Sequence, residues 1–498
     1  MKPSPFSPDP AWSRSILELP LSRLNRRGFL VRSAVLAGGC TVGLGQSRLL
    51  ALAPDPEGPS LISPGCRKSK VRIAKLYLGK PKAHWPTPKL DLDAEHRRYE
   101  AEFVRLAREF ADVDFVINEL VTDPGQVGKL KETLGSVDGA LVIHLSMGIK
   151  EILEEILAVK RPTIVFAAPY SGHEWAEFGA LRQKEAGKYL ECLLTSDLTQ
   201  LAVAVRPFRA IHHLREAKIL DLTTKTEKSE RVKAIADKFG TQIQTIGLER
   251  MLAAYDAVSP AAAEAETKRW IKRAEKVVEP PRREIYNSCR LALAFDQVLA
   301  EEEATVLTVD CYGTMYQKLP AFPCLGFVRL NNLGLGGICE SDLTSALTFM
   351  LLQSLSGRPG FISDPTLDES AHSIILAHCL GTCRMDGPDG KAAPYRLRTI
   401  MERQEGCVPQ VRMRVGQRVT QAILAESDRL LYFTGAILAT PDTDRGCRTK
   451  ITVKVDGDIE KLWQNWSRGL HRVTCYGDLT EDLKRFCRFK EIKLVNEA

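Results

Sequence analysis

Val71-Arg-Ile-Ala-Lys-Leu-Tyr-Leu78, Gly139-Ala-Leu-Val-Ile-His144 and Pro162-Thr-Ile-Val-Phe-Ala167 are short apolar runs of strand length. Between them lie a further run, Val113 to Ile117, and stretches of helical pattern at 93–111, 124–134 and 148–158. Strand and helix alternating at this spacing is the βαβ rhythm of an open parallel sheet. The rhythm resumes downstream. A helix over about 197–216 leads into the strand Ala217-Lys-Ile-Leu-Asp-Leu222, a helix at 226–239, a strand at 241–246, a helix at 248–256 and a long charged helical stretch, 260–304. Val306 to Val309 reads as the last strand of this second sheet, and Leu343, Leu347, Met350, Leu351 and Leu355 mark the core face of a following helix. Beyond 358 the pattern turns to short β-like runs at 374–380, 409–414, 430–437 and 450–455. The expected fold is therefore α/β: two parallel-sheet domains, 71–216 and 217–358, followed by a β-rich C-terminal domain, 359–498.

The first 53 residues are set apart from that argument. Asn25-Arg-Arg-Gly-Phe-Leu30, the apolar run Phe29 to Leu44 and the small-residue pattern Ala51-Leu-Ala53 resemble a twin-arginine signal peptide. Residues 54–70 read as a polar linker. The expectation is a protein exported to the periplasm or beyond, with the twin-arginine machinery as partner and no stable membrane insertion after processing. The 1–53 segment holds seven Lys/Arg and two acids, so without it the net charge falls from +7 to +2. No basic cluster with interleaved aromatics remains, which argues against a nucleic-acid partner. Of the thirteen Cys, Cys66, Cys407, Cys447 and Cys487 lie in polar settings that permit pairing, whereas Cys311, Cys324, Cys339 and Cys379 sit in apolar strings as small buried hydrophobes.

The chemistry-bearing stretch is Gly336-Gly-Ile-Cys-Glu-Ser-Asp-Leu-Thr-Ser-Ala-Leu-Thr348, followed by Gly357-Arg-Pro-Gly-Phe-Ile-Ser-Asp364. It sets Glu340 at the mouth of a helix and Asp364 at a strand start, and His378 and His471 follow at the edges of elements. Oxygen donors with imidazole are the ligand set of a divalent ion such as Mn²⁺. Each residue also has a plain structural reading: Glu340 as a first-turn acid on a helix dipole, Asp364 before Pro365 as a turn residue, His378 as a satisfied core histidine, His471 as a turn residue.

Asp310-Cys-Tyr-Gly313, Leu319-Pro-Ala-Phe-Pro-Cys-Leu-Gly326, Leu330-Asn-Asn332, Cys339-Glu-Ser-Asp342, Phe361-Ile-Ser-Asp364 and Trp466-Ser-Arg-Gly-Leu-His-Arg-Val473 resemble the L-fucose and L-arabinose isomerase superfamily. That resemblance implies two flavodoxin-like domains and a β-rich third. It also implies metal-dependent aldose–ketose isomerisation of a sugar in a homo-oligomer, with Glu340 and Asp364 as catalytic groups. Glu340, Asp364, His378 and His471 would be the metal ligands and Mn²⁺ or another divalent cation the cofactor. One departure is visible: L-arabinose isomerases carry two adjacent histidines where this chain has His471 and Arg472. Trp85, His173 and Asn332 are the candidate sugar contacts, against packing and turn roles for the same residues. A second reading keeps the scaffold without turnover: an exported carbohydrate-binding or sensing protein.

Overall fold

The computed structural model describes residues 60–226 and 229–498. The expected signal peptide and the first residues of the linker lie outside them.

Strand β1 (Val71–Leu78) is buried along its length except at Arg72. It sits inside a sheet with β2 (Val113–Val121), β3 (Gly139–His144), β4 (Thr163–Ala167) and β5 (Leu190–Leu194), in the order β2-β1-β3-β4-β5. Every pairing is parallel, and this is the flavodoxin-like winding. Helices cover both faces, each over its own apolar cluster. Gly139 allows one of them to approach: a Cβ there would stand 2.3 Å from the ring of Phe208, on helix Arg206–Glu216. The expected helix over 197–216 is two helices, Gln200–Ala204 and Arg206–Glu216, with Pro207 in the first turn of the second. His212 and His213 of that helix are both buried. His212 Nδ1 meets Asp138 Oδ2 at 2.9 Å, and His213 lies between the hydroxyls of Ser63 and Ser354. Packing, rather than surface exposure, is their place.

The second sheet contains β6 (Lys218–Leu222) and β7 (Gln242–Ile246); after the two-residue β8 (Lys276–Val277) come β9 (Val306–Val309) and β10 (Gly336–Cys339). Its order is β10-β9-β6-β7, again all parallel, with the winding reversing between β6 and β9. Such a switch point is where open α/β sheets bind ligands, at the carboxyl ends of the strands. The sequence reading ended this sheet at β9, and β10 corrects it. Gly336 and Gly337 conceal the strand because they have no side chains to form a pattern. Each leaves room for a neighbour: a Cβ on Gly337 would come within 2.4 Å of the Phe327 Cα on helix Cys324–Asn332, and one on Gly336 within 2.9 Å of the Val306 side chain on β9. The expected helix 260–304 is likewise divided, into Pro260–Arg273 and Arg282–Glu301, with β8 and Pro280-Pro281 between.

Downstream, β11 (Phe361–Asp368), β12 (Ser373–His378), β15 (Arg418–Ala425), β16 (Arg429–Ala439), β17 (Thr449–Val455) and β18 (Arg472–Tyr476) close into an antiparallel barrel. Around the ring the neighbours are β11-β12-β17-β16-β15-β18. The short β13 (Tyr395–Arg398) and β14 (Val408–Val411) make a side sheet with β8, and β19 (Lys493–Asn496) adds to β16 in parallel. Closure removes the free edges an open β sheet would expose. Helix Leu343–Ser356 is buried on every side from Leu343 to Leu355 except at Thr344. It packs on β10, β15, β18 and helix Arg206–Glu216, so one apolar core runs through the second sheet, this helix and the barrel. Its ends are set by Asp342, which accepts the Ser345 N–H at 3.0 Å, and by Gly357 at φ +71°. All twelve cysteines among the described residues are free thiols, and no helix there is long and apolar enough to cross a membrane.

Candidate metal and acid–base site

The chain leaves β10 through Glu340 and Ser341, at φ +66° and +51°, two consecutive non-glycine residues in the left-handed region. Each such residue costs about 1–3 kcal/mol unless its surroundings hold it. Here Ser341 Oγ donates to Asp221 Oδ1 at 2.6 Å on β6, two strands away, and Ser341 N–H donates to the carbonyl of Val309 at the end of the neighbouring β9. The turn thus presents the Glu340 carboxylate at the carboxyl edge of the second sheet. Because Asp342, not Glu340, caps the following helix, the capping explanation of Glu340 no longer applies.

The barrel supplies the other groups. Ser363 on β11 pairs with Arg472 on β18, which sets Asp364 beside His471; Asp364 is also opposite Ala377 on β12, one residue before His378. His471 Nε2 lies 3.2 Å from Asp364 Oδ1 and 3.8 Å from Glu340 Oε2. His378 Nε2 lies 3.9 Å from Glu340 Oε1, 4.0 Å from Asp364 Oδ2 and 3.3 Å from Cys339 Sγ. The two rings stand edge to face with centroids 5.4 Å apart. Both histidines are buried and both carboxylates are partly open.

His471 is oriented from behind. Its Nδ1–H donates to Asp342 Oδ2 at 3.0 Å, and the same carboxylate accepts the Ser345 hydroxyl. Nε2 therefore turns toward Asp364 and Glu340; it is ion-paired with Asp364 at 3.2 Å, and despite its burial it makes no aligned hydrogen bond. An imidazole held by a carboxylate with its other nitrogen turned to the site is how proteins present a histidine to an ion. Without an ion, burial works against charge on this ring, but Asp342 and Asp364 outweigh it and push its pKa up to about 10. Asp364 is lowered: burial alone would raise it, and His471 and His378 prevail. Burial raises Glu340, with His471 opposing and Asp364 and Asp342 reinforcing. The two carboxylates are thus pushed apart, one toward holding a proton and one toward staying ionised.

Glu340 and Asp364 flank His471 and would share a divalent ion with it once His471 gives up its Nε2 proton; the groups whose ligand atoms all lie within 4.8 Å of one another are Asp364, His378 and His471, and Cys339, Glu340 and His378. His378 also fits on one condition. The Cys379 N–H donates to its Nδ1 at 2.8 Å, so the neutral ring carries its proton on Nε2, facing the carboxylates. Ligation through Nε2 requires that proton to move to Nδ1 and the Cys379 bond to be given up. Burial drives the His378 pKa down to about 4, so the ring stays neutral.

The chain is similar to sugar isomerases. It is 24% identical to the sulfoquinovose isomerase of Alkalicoccus urumqiensis over 279 residues, 52% of this chain and 59% of that protein. It is 26% identical to the sulfoquinovose isomerase of Clostridium sp. (strain MSTE9) over 207 residues and 23% identical to that of Priestia aryabhattai over 192. The chain spans about half the length of the curated relatives it matches. No family model matches it.

The four residues read as ligands are brought together, although His471 stands 129 positions beyond Asp342. Trp85 and His173 meet each other edge to face at 5.8 Å, and no hydrogen bond, ion pair or ring contact among the described residues joins them to the cluster. Asn332 is used differently from the expected sugar contact: its amide oxygen accepts the N–H groups of Cys383 and Arg384 and holds that loop. Asp342 lies in the Cys339-Glu-Ser-Asp342 motif but is not among the expected site residues. Asp-Leu-Thr-Ser before an apolar run marks it as a helix cap, but nothing local reveals that its other oxygen orients an imidazole. Arg472, where the family pattern departs, is fully buried, with its guanidinium turned to Glu497 and not to the carboxylates of the cluster. It makes a two-bond pair with Glu497 at 3.0 and 2.6 Å and donates to the carbonyls of Ser467, Gly469 and His471. It holds the turn that carries His471.

Proposed function

We propose that this protein is a sugar isomerase that interconverts an aldose and a ketose through an enediolate, with Mn²⁺ or another divalent cation as cofactor. One observation carries the reading: the buried Nε2 of His471, without an aligned hydrogen bond, its ring fixed by Asp342 and aimed between two carboxylates. Similarity to proteins named sulfoquinovose isomerase supports the reaction class, and sulfoquinovose belongs first in the substrate panel. Glu340, Asp364 and His471 would hold the ion, joined by His378 after its proton shifts. When bound, it would polarise the carbonyl and adjacent hydroxyl oxygens of an open-chain sugar and acidify the C–H between them. Glu340 and Asp364 share ligand and acid–base roles. Glu340, raised by burial, is suited to take the proton from one carbon and return it to the next, since a proton shuttle works best near ambient pH. Asp364 stays anionic beside His471 and binds.

Chelation is expected to abolish turnover, with Mn²⁺ restoring it, and the melting temperature should rise with Mn²⁺ concentration because the ion binds only the folded site. Full activity in a metal-free preparation would refute the cofactor. The second reading, a carbohydrate-binding or sensing protein, draws on the inward Nε2–H of His378, which favours sugar oxygens over an ion. Sugar binding without exchange of the C2 proton would establish it instead.

Export remains part of the proposal, resting on Asn25-Arg-Arg-Gly-Phe-Leu30. Changing Arg26 and Arg27 together to Lys should retain the protein in the cytoplasm. Unchanged fractionation would remove the twin-arginine assignment.

A further inference from the structure

Next to the candidate site, three donors unused by the proposed reaction converge. Cys379 Sγ, Cys447 Sγ and a carboxylate oxygen of Glu402 all lie within 4.8 Å of one another. Cys447 Sγ is 3.3 Å from Glu402 Oε1. They come from three segments: the residue after β12, the turn before β17 and the turn at 401–404. The segments are fixed to each other. His378 pairs with Thr449 in the barrel, and the buried Arg448 guanidinium donates to the carbonyl and hydroxyl of Thr399 at 2.8 and 3.2 Å. Cys324, Ile400 and Val408 pack with Cys379 as an apolar floor, against which Phe322 and Cys447 rest. Cys379 is buried, Cys447 half-buried and Glu402 exposed, so the group is closed below and open above.

We propose that Cys379, Cys447 and Glu402 form a second cation site, specific for a thiophilic divalent ion such as Zn²⁺. Two sulfur donors and one carboxylate select a softer ion than the oxygen and imidazole groups of the first site. With Zn–S near 2.3 Å and Zn–O near 2.1 Å, a tetrahedral site has a sulfur-to-oxygen edge of about 3.6 Å. The observed 3.3 Å needs only a small opening. Three protein ligands leave the fourth position to water on the exposed side. An ion there would tie the end of β12 to the segment entering β17, and so fix the strand end that carries His378.

The test uses the full chain, reduced and metal-free, titrated with Co²⁺. Binding at this group gives a thiolate-to-cobalt charge-transfer band in the near ultraviolet, which added Zn²⁺ should remove; the first site can give such a band only through Cys339, 3.3 Å from His378 Nε2. Cys447→Ser, which leaves one thiolate in the group, should at least halve the band. Glu402→Gln, at an exposed position that cannot unfold the chain, should weaken Co²⁺ binding by at least about 10–100-fold, since even an outer partner of a ligand costs that much. Cys339→Ser, which removes the thiol beside His378 on the other side, should leave the band in place. The proposal is overturned if the wild-type chain shows no such band, or if the band is undiminished in Cys447→Ser or vanishes in Cys339→Ser.

Discussion

Glu340→Gln is expected to lower exchange of the sugar C2 proton, and turnover with it, by at least about 100-fold, the scale of one general acid–base contribution. The change keeps the volume and polarity of the side chain, so the left-handed turn and its Ser341–Asp221 bond should persist and the melting temperature should stay close to wild type. What is lost is a carboxylate that burial has tuned toward sharing a proton. Asp364→Asn should behave differently in one respect. Asp364 is the anion 3.2 Å from His471, so its removal should weaken metal retention first and exchange in consequence. Measuring bound metal and C2 exchange on both variants separates the roles. Normal metal with normal exchange in both would take these residues out of the site.

The largest stability effect is expected at Arg472. Arg472 and Glu497 are both fully excluded from solvent. Replacing one partner of such a pair strands the other as a buried charge and typically costs about 3–5 kcal/mol. Arg472→Met should therefore lower the unfolding free energy obtained from urea titration by that amount. Metal retention should fall as well, because the guanidinium also holds the carbonyls of Ser467, Gly469 and His471. The double change Arg472→Met with Glu497→Leu removes both charges and should recover much of the stability without recovering the order of that turn. A single-variant loss below about 1 kcal/mol would show that the pair is not the anchor described, since that is the range of an exposed ion pair.

The fold was legible where side chains make a pattern. β1, β3 and β4 announce themselves as apolar runs because both faces of a parallel sheet are buried. β10 did not, since the helix against Gly337 and the Val306 side chain against Gly336 leave no room for side chains and so erase the apolar signal. In the barrel, β15 and β18 were missed. β15 mixes Thr420 and Gln421 with apolar residues and β18 contains Thr474, all of them buried polar groups whose partners lie across strands. The site follows the same division. Donor atoms can be named from sequence, but their orientation depends on distant partners. Asp342 for His471, Asp221 for the Glu340 turn and Glu497 for Arg472 are such partners. The departure at Arg472 looked like a missing ligand because residue type alone does not say which way a side chain faces.

The distance along the chain between Asp342 and His471, 129 positions, has a kinetic consequence. A contact of that span forms only after most of the loop-closure entropy has been met, so the imidazole reaches the carboxylates late in folding. An ion held there cannot act as a nucleus for assembly. It would leave the folding rate nearly unchanged and instead slow unfolding, as stabilising contacts absent from the transition state do. Loaded and empty protein should therefore refold at similar rates and differ chiefly in how long they last.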